Sequence, residues 1–405
     1  MLWLNASLVL TAMHLAFATH NVVAYDLTGN NSSVGVVAFG IGFSILLGTP
    51  FSGAIADRMS KRLLLLITES LILFMALILS ALLLTDALTI GLMLPAVVLF
   101  GAGIAFFWPA ITACMGESVE PERQANGAAL FQIALNLTRS FAPFVGAGLV
   151  AWQVTGFTGA YLAVALVMAG ALATIAFIPK PQGTRLAASP TDGDAGRPQR
   201  LGILDDMRLG LRYVFETRRL LEVLVSFIVV ILLGFSIMVV LPAFAKDVLG
   251  AGNEGFGIMF GTHALGGFAA GLLVASKTSS PDLKKYLFLS SLAAGLSISV
   301  MSLMPNFLMG LVAIFFVGAA AGAFQTLIMA SILHAAKPEY FGRVIALTNL
   351  GWAMTNLVGL VLGIVADLSS ERAALFGIGI VLAVVSVGLA WWARTEDAPV
   401  APAAS

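Results

Sequence analysis

Arg139 is the residue of this chain whose chemistry most demands an explanation. It lies about fifteen residues into an apolar run, roughly 22 Å from the inner surface at 1.5 Å per residue. A charge held at the centre of a bilayer costs about 2.5–3.5 kcal/mol on insertion scales, so such a residue calls for a partner or a use. Gln132, Asn136, Arg139 and Pro143 step by four, three and four, which puts them on one helical face. That face must look into protein or water. A guanidinium stays charged at any pH a cell meets, which leaves it two roles: binding an anionic group, or pairing with a carboxylate such as Asp26 or Glu69.

Other polar groups interrupt apolar runs in the same way. Thr11, His14, Ala18 and Asn21 form a polar and small stripe along one helix face. His14 can carry a proton near neutral pH or can serve as a hydrogen-bonded packing residue. Glu69 sits about 10 Å inside its run, where a carboxyl withdrawn from water favours its neutral form; with Asp26 and His14 it makes the set of proton-coupling candidates. Phe107, Trp108, Phe324, Gln325, Trp352 and Asn356 offer aromatic and amide surface for a substrate cavity. There is no Walker loop, no His-Glu-x-x-His and no cluster of carboxylates for a metal. ATP hydrolysis, membrane proteolysis and cofactor chemistry therefore have no visible machinery, and the chain does not read as an enzyme. The single cysteine, Cys114, excludes an intrachain disulfide and a Cys-rich metal site.

The elements that position these residues follow from composition. The chain is 59% hydrophobic and 10% charged, with mean hydropathy +0.99, far from the quarter of charged residues usual in soluble domains. Apolar runs fall at about 3–25, 33–56, 63–84, 88–115, 124–150, 157–178, 219–244, 255–276, 286–304, 306–334, 344–366 and 373–393. Each approaches or exceeds the roughly 20 residues that span a ~30 Å hydrocarbon core, so the expected fold is an all-α membrane protein of twelve spans. Every Lys and Arg except Arg139, Lys246 and Arg372 falls in alternate loops or the tail, which places that side, with both termini, in the cytoplasm. The first run lacks a basic leader and is too long for a cleaved signal, so it reads as a retained helix. The absence of Lys or Arg before it implies that a few residues precede this start. Net charge is zero, so nothing points to nucleic acid.

The longest loop divides the chain into a six-span unit at 1–179, a linker at 180–218, a second six-span unit at 219–394 and a tail at 395–405. Residues 181–200 are rich in Pro, Gly, Asp and Thr and read as flexible linker, whereas Ile203, Leu204, Met207, Leu211, Val214 and Phe215 recur at helical spacing and predict an amphipathic strap on the membrane surface. The units repeat each other. Ala24–Gly29 echoes Ala245–Gly250 at an offset of 221, Gly53 pairs with Gly271 at 218, Gly101 and Phe107-Trp108 match Gly318 and Phe324-Gln325 at 217, and Arg123 with Asn136 matches Arg343 with Asn356 at 220. Parallel repeats of this kind imply alternating access about a site at their interface near the midplane.

The stretch Gly53-Ala54-Ile55-Ala56-Asp57-Arg58-Met59-Ser60-Lys61-Arg62 is a charged knot between two spans. Gly53 permits close helix approach, Asp57 can accept amides at a helix N-terminus, and Arg58, Lys61 and Arg62 anchor the inner surface. The string resembles the loop between helices 2 and 3 of the major facilitator superfamily. That resemblance implies two pseudo-symmetric six-helix bundles, with Gly53, Asp57, Arg58, Lys61, Arg62 and Arg343 forming an inner conformational latch. Only the first repeat carries the acid, since Gly271 is followed four later by Ala275. Ala142-Pro143-Phe144-Val145-Gly146-Ala147 resembles the helix 5 signature of the superfamily's antiporters, carried here by Pro143 and Gly146 with two of its glycines replaced by alanine. Helix 4 lacks the arginine many proton-coupled drug exporters have. Phe107-Trp108-Pro109-Ala110 and Glu117–Asn126 are similar to the branch with macrolide and enterobactin-type siderophore exporters. The branch implies a monomer in a bacterial inner membrane exporting an amphipathic small molecule against inward protons. An uptake symporter or facilitator on the same fold is the alternative, and a non-transporting receptor or scaffold is the rival from another class.

Overall fold

The computed structural model describes residues 1–118, 124–151, 156–177, 203–280, 282–337 and 340–394, with some helical side chains in these ranges left undescribed. The helices are α1 (Leu2–Thr28), α2 (Asn31–Arg58), α3 (Lys61–Leu84), α4 (Ile90–Ser118), α5 (Gln124–Ala151), α6 (Gly156–Ile175), α7 (Ile203–Glu216), α8 (Arg218–Phe235), α9 (Leu241–Ala243), α10 (Gly255–Val274), α11 (Leu283–Ser302), α12 (Phe307–Ala335), α13 (Phe341–Leu368) and α14 (Glu371–Arg394). Among the described residues there is no strand, and twelve helices are long and apolar enough to cross a membrane. Their outer faces carry exposed Leu77, Leu166, Leu273 and Val384, an arrangement suited to lipid, since no water is present there to penalise apolar surface.

Helices α1–α6 pack around one apolar core that includes Leu10, Leu65, Ile72, Phe100 and Tyr161. Helices α8–α14 pack around a second that includes Phe244, Phe256, Ile314 and Leu375. With no hydrophobic drive between helices in lipid, close packing of small residues holds them together. Gly266 and Gly267 of α10 meet Gly318, Gly322 and the backbone around Phe315 of α12 at distances that leave no room for a Cβ. The bundles join where α2 packs on α13 and α5 on α10.

The span expected at 219–244 is not one helix. α8 ends at Phe235, a 3-10 turn follows at Ser236–Val239, and α9 leads into a wide π turn at Phe244–Val248. The periodicity of an apolar run cannot show such a break, because the break keeps the run buried and Pro242, its one overt marker, stands at a helix start where it is tolerated. The strap α7 buries Val214, stacks Tyr213 on Tyr340 with ring centroids 4.0 Å apart, and leaves Leu211 and Phe215 exposed. The Tyr213 hydroxyl accepts the Lys337 N–H at 3.0 Å, which fastens the strap to the second bundle.

Candidate functional site

The loop repeat read from sequence has a structural counterpart. Gly29 and Gly250 both adopt φ +67°, a left-handed conformation that glycine reaches without cost, and each turns the chain out of the first span of its unit. The two loops then bind each other across the bundle interface. Lys246 Nζ lies 2.6 Å from Asp26 Oδ1, while the Tyr25 hydroxyl donates to Asp247. At the repeat offset Tyr25 corresponds to Lys246 and Asp26 to Asp247, so each loop supplies a donor to the other loop's aspartate. Asn253 adds a 3.1 Å bond to Asp26.

Beside this clasp, Asp367 near the end of α13 accepts the backbone N–H groups of Asn31 and Ser32 at 2.7 and 2.9 Å. It thereby caps the first turn of α2, where the helix dipole favours an anion. Glu371 accepts from Asn31 Nδ2 at 3.0 Å. The hydrogen bonds and ion pairs that join the bundles among the described residues all lie at this clasp end. The opposite, knot end is where the expected latch falls: the side chains of Gly53, Asp57, Arg58 and Arg343 lie outside the described residues, as do the 119–123 loop and the 178–202 linker. Of the knot residues that are described, Ser60 caps α3 by accepting the Leu63 N–H at 3.3 Å, and Arg62 reaches the Ala176 carbonyl at 3.4 Å.

The helix 5 signature packs at the bundle interface. A Cβ at Gly257 of α10 would stand 2.8 Å from the Pro143 carbonyl and from Ala147, and Gly261 lies against the Phe144 ring. Gly146 faces Leu15 of α1. Proline and small residues here let α5 and α10 meet backbone to backbone.

Between the bundles, α1, α5, α8, α10 and α13 surround Arg139. Its guanidinium lies over the Phe235 ring, 5.0 Å from the centroid, at the residue where α8 breaks. Phe235 makes edge contacts with Trp352 at 4.7 Å and with His263 at 5.8 Å. His14 is hydrogen-bonded to the neighbouring Thr138 at 3.3 Å, and the Arg139 charge acts on both His14 and His263. Neither acid expected as its partner is there: Asp26 belongs to the clasp, and Glu69 is wholly buried inside the first bundle, where Asn5 Nδ2 donates to it at 3.0 Å. Among the described residues Arg139 makes no hydrogen bond and no ion pair.

The remaining expected cavity residues divide. Trp108, Gln325 and Trp352 are partly accessible. Phe107 and Phe324 are instead buried in the two cores, which corrects their placement in the cavity; each precedes its accessible neighbour by one residue, a turn of about 100° that carries it into its own bundle. Thr11 bonds back to the Ser7 carbonyl and Asn21 to that of Phe17, while Ala18 packs into the second core, so the α1 stripe faces the opposite bundle. Asn356 fills the space beside Gly42 at the α2–α13 contact. The side chains of Gln132 and Asn136 lie outside the described residues. Two buried histidines escaped the sequence reading. His20 is a packing residue, its Nδ1 2.7 Å from the Tyr161 hydroxyl, whereas His263 is buried beside the centre with Nδ1 unpartnered. A glycine-rich apolar run around His263 gave no periodic stripe to flag it. Among the described residues no three His, Cys, Asp or Glu side chains gather to hold a metal.

Two bundles, a clasp at one end and a polar centre between them define a major facilitator type transporter. The chain matches the family described as transmembrane secretion effector (MFS_3) over residues 2–398, and it belongs to that family. No curated protein matches its sequence. Among solved structures it is similar to a POT family transporter in complex with a thioalcohol-conjugated peptide, with TM-score 0.75, 14% identity and coverage of 97% of this chain and 96% of that one. It is also similar to the nucleoside transporter NupG, with TM-score 0.73, 14% identity and coverage of 96% and 98%. At this identity the likeness concerns the fold.

Proposed function

We propose that this protein exports an amphipathic small molecule from the cytoplasm by alternating access, driven by protons moving inward. The observation that carries the reading is the pseudo-symmetric clasp: among the described residues, the polar contacts that fasten the two bundles gather at one end, as they would in a carrier closed on that side. The Lys and Arg bias assigns the knot end to the cytoplasm, so the clasp closes the outer face and the centre is offered inward. The protein works as a monomer in a bacterial inner membrane, with both termini inside.

Glu69 is the proton carrier of this reading. One carboxyl oxygen accepts from Asn5 and the other, like Asn5 Oδ1, is buried without a partner. A carboxyl so placed is costly when charged and readily held neutral; α3, which carries it, packs on α4 and α6, and Asn5 reaches it from α1. Arg139, which keeps its charge, acts on substrate, while Asp26 is engaged with Lys246 in the clasp. Reconstituted protein in vesicles with an imposed pH gradient tests the proposal. Substrate leaving the side that the knot faces, with matching proton movement the other way, supports it; transport indifferent to the gradient contradicts it.

A further inference from the structure

The geometry points to Arg139 as the anchor of a binding site for amphipathic organic anions, with Phe235 and Trp352 as the aromatic wall against which the apolar part of the ligand rests. The inference deepens the export reading and names the class of its substrate.

Arg139 is only partly exposed and, among the described residues, has neither a hydrogen bond nor an ion pair; a guanidinium so withdrawn from water is retained only if something compensates its charge during the working cycle. The contacts among the described residues do not. A cation over one aromatic ring recovers only a small part of its lost hydration. The broken end of α8 adds only the partial negative charge of unsatisfied carbonyls. The titratable neighbours from α1 and α10 are His14 and His263, neither of which supplies an anion. The acids that could have done so are committed elsewhere, Asp26 to Lys246 and Glu69 to Asn5.

An anion brought by the substrate completes the set. The guanidinium fork matches a carboxylate or sulfonate with two parallel N–H donors. His263, 3% exposed, has an unpartnered Nδ1 and touches the same Phe235 ring, which makes it a further polar contact for the ligand head. Gly318 of α12 backs directly onto the His263 backbone and holds it in place. Phe235 and Trp352, at 76° to each other, leave an L-shaped aromatic surface for a ring or chain. All five elements around the site belong to different parts of the two bundles, so an occupant would bridge the halves, as a transported molecule must.

The test uses two radiolabelled probes of one shape, 2-naphthoate and the neutral 2-naphthamide, in equilibrium dialysis against the full-length reconstituted protein. Naphthoate should bind about ten- to a hundredfold more tightly than the amide, the size of a charge-assisted hydrogen-bonded pair. Arg139→Gln should bring the ratio close to one, and Arg139→Lys should keep part of it, which guards against a variant that fails to fold. Equal binding of the two probes, or none of either, by the wild-type protein overturns the inference, as does an unchanged ratio in Arg139→Gln. Carboxylate preference without any transport of naphthoate in vesicles would leave the site standing and remove the export reading instead.

Discussion

Lys246 and Asp26 meet at 2.6 Å across the bundle interface, and the same two loops meet a second time, by the repeat, as Tyr25 and Asp247. The contact is therefore a pseudo-twofold clasp and not an isolated surface pair. Both partners of the ion pair are about a third exposed, so the pair itself contributes about 1 kcal/mol or less. In the proposed cycle so weak a pair can be broken and remade at each opening of that end.

Lys246→Met combined with Tyr25→Phe should shift the protein toward the form open at the clasp end by roughly fivefold, following the loss of about 1 kcal/mol. Bifunctional cross-linking between cysteines at Asn30 and Ser370 reports the shift. An unchanged yield would mean that the clasp does not hold the closed state.

Asp367→Asn should act in the same direction and more strongly, because the carboxylate holds two backbone amides at the start of α2. Loss of such a cap costs about 1–2 kcal/mol. The cross-linking yield between Asn30 and Ser370 should therefore fall further in Asp367→Asn than in the clasp variant, and an unchanged yield would contradict the prediction.

How much of this was legible in the sequence depends on what each feature writes into it. Twelve apolar runs, the loop echo and the knot are statements about length and residue type, and they led directly to the fold. The clasp was half legible: the echo of residues 24–29 in 245–250 showed that the loops correspond, but only coordinates show that they face each other. Arg139 was flagged by depth alone, yet its setting against Phe235 depends on the break after α8, which an unbroken apolar run conceals. Phe107 and Phe324 were assigned to the cavity because pattern locates a helix to within a residue or two, while one residue is enough to turn a side chain from centre to core.

Gly257→Leu should prevent α5 and α10 from closing on each other, since even a Cβ at that position would stand 2.8 Å from the Pro143 carbonyl and the Ala147 side chain. Overpacking of this kind costs about 1–3 kcal/mol. The expected outcome is retained folding in detergent with transport sharply reduced, read by thermal denaturation beside vesicle flux. Normal flux would show that this contact does not tighten during the cycle.

Glu69→Gln copies the neutral form of the carboxyl. Substrate exchange down its gradient should persist, and acceleration by a pH gradient should disappear. The melting temperature should not fall, because an amide is cheaper to bury than an unpaired carboxylate. A variant that still responds fully to the gradient would remove Glu69 from the coupling step.

Alternating access is the central claim, and distances measured at both ends of the molecule test it most directly. On a Cys114→Ser background, spin labels are placed at Asn30 and Ser370 across the clasp end and, in a second sample, at Met59 and Lys337 across the knot end. Double electron–electron resonance then gives the distance distributions in reconstituted protein, with pH varied and with the naphthoate probe present or absent. The account predicts a short clasp-end distance paired with a long knot-end distance, and a reciprocal change when the conditions move the equilibrium. Distances that stay fixed at both ends, or that lengthen at both ends together, would contradict it.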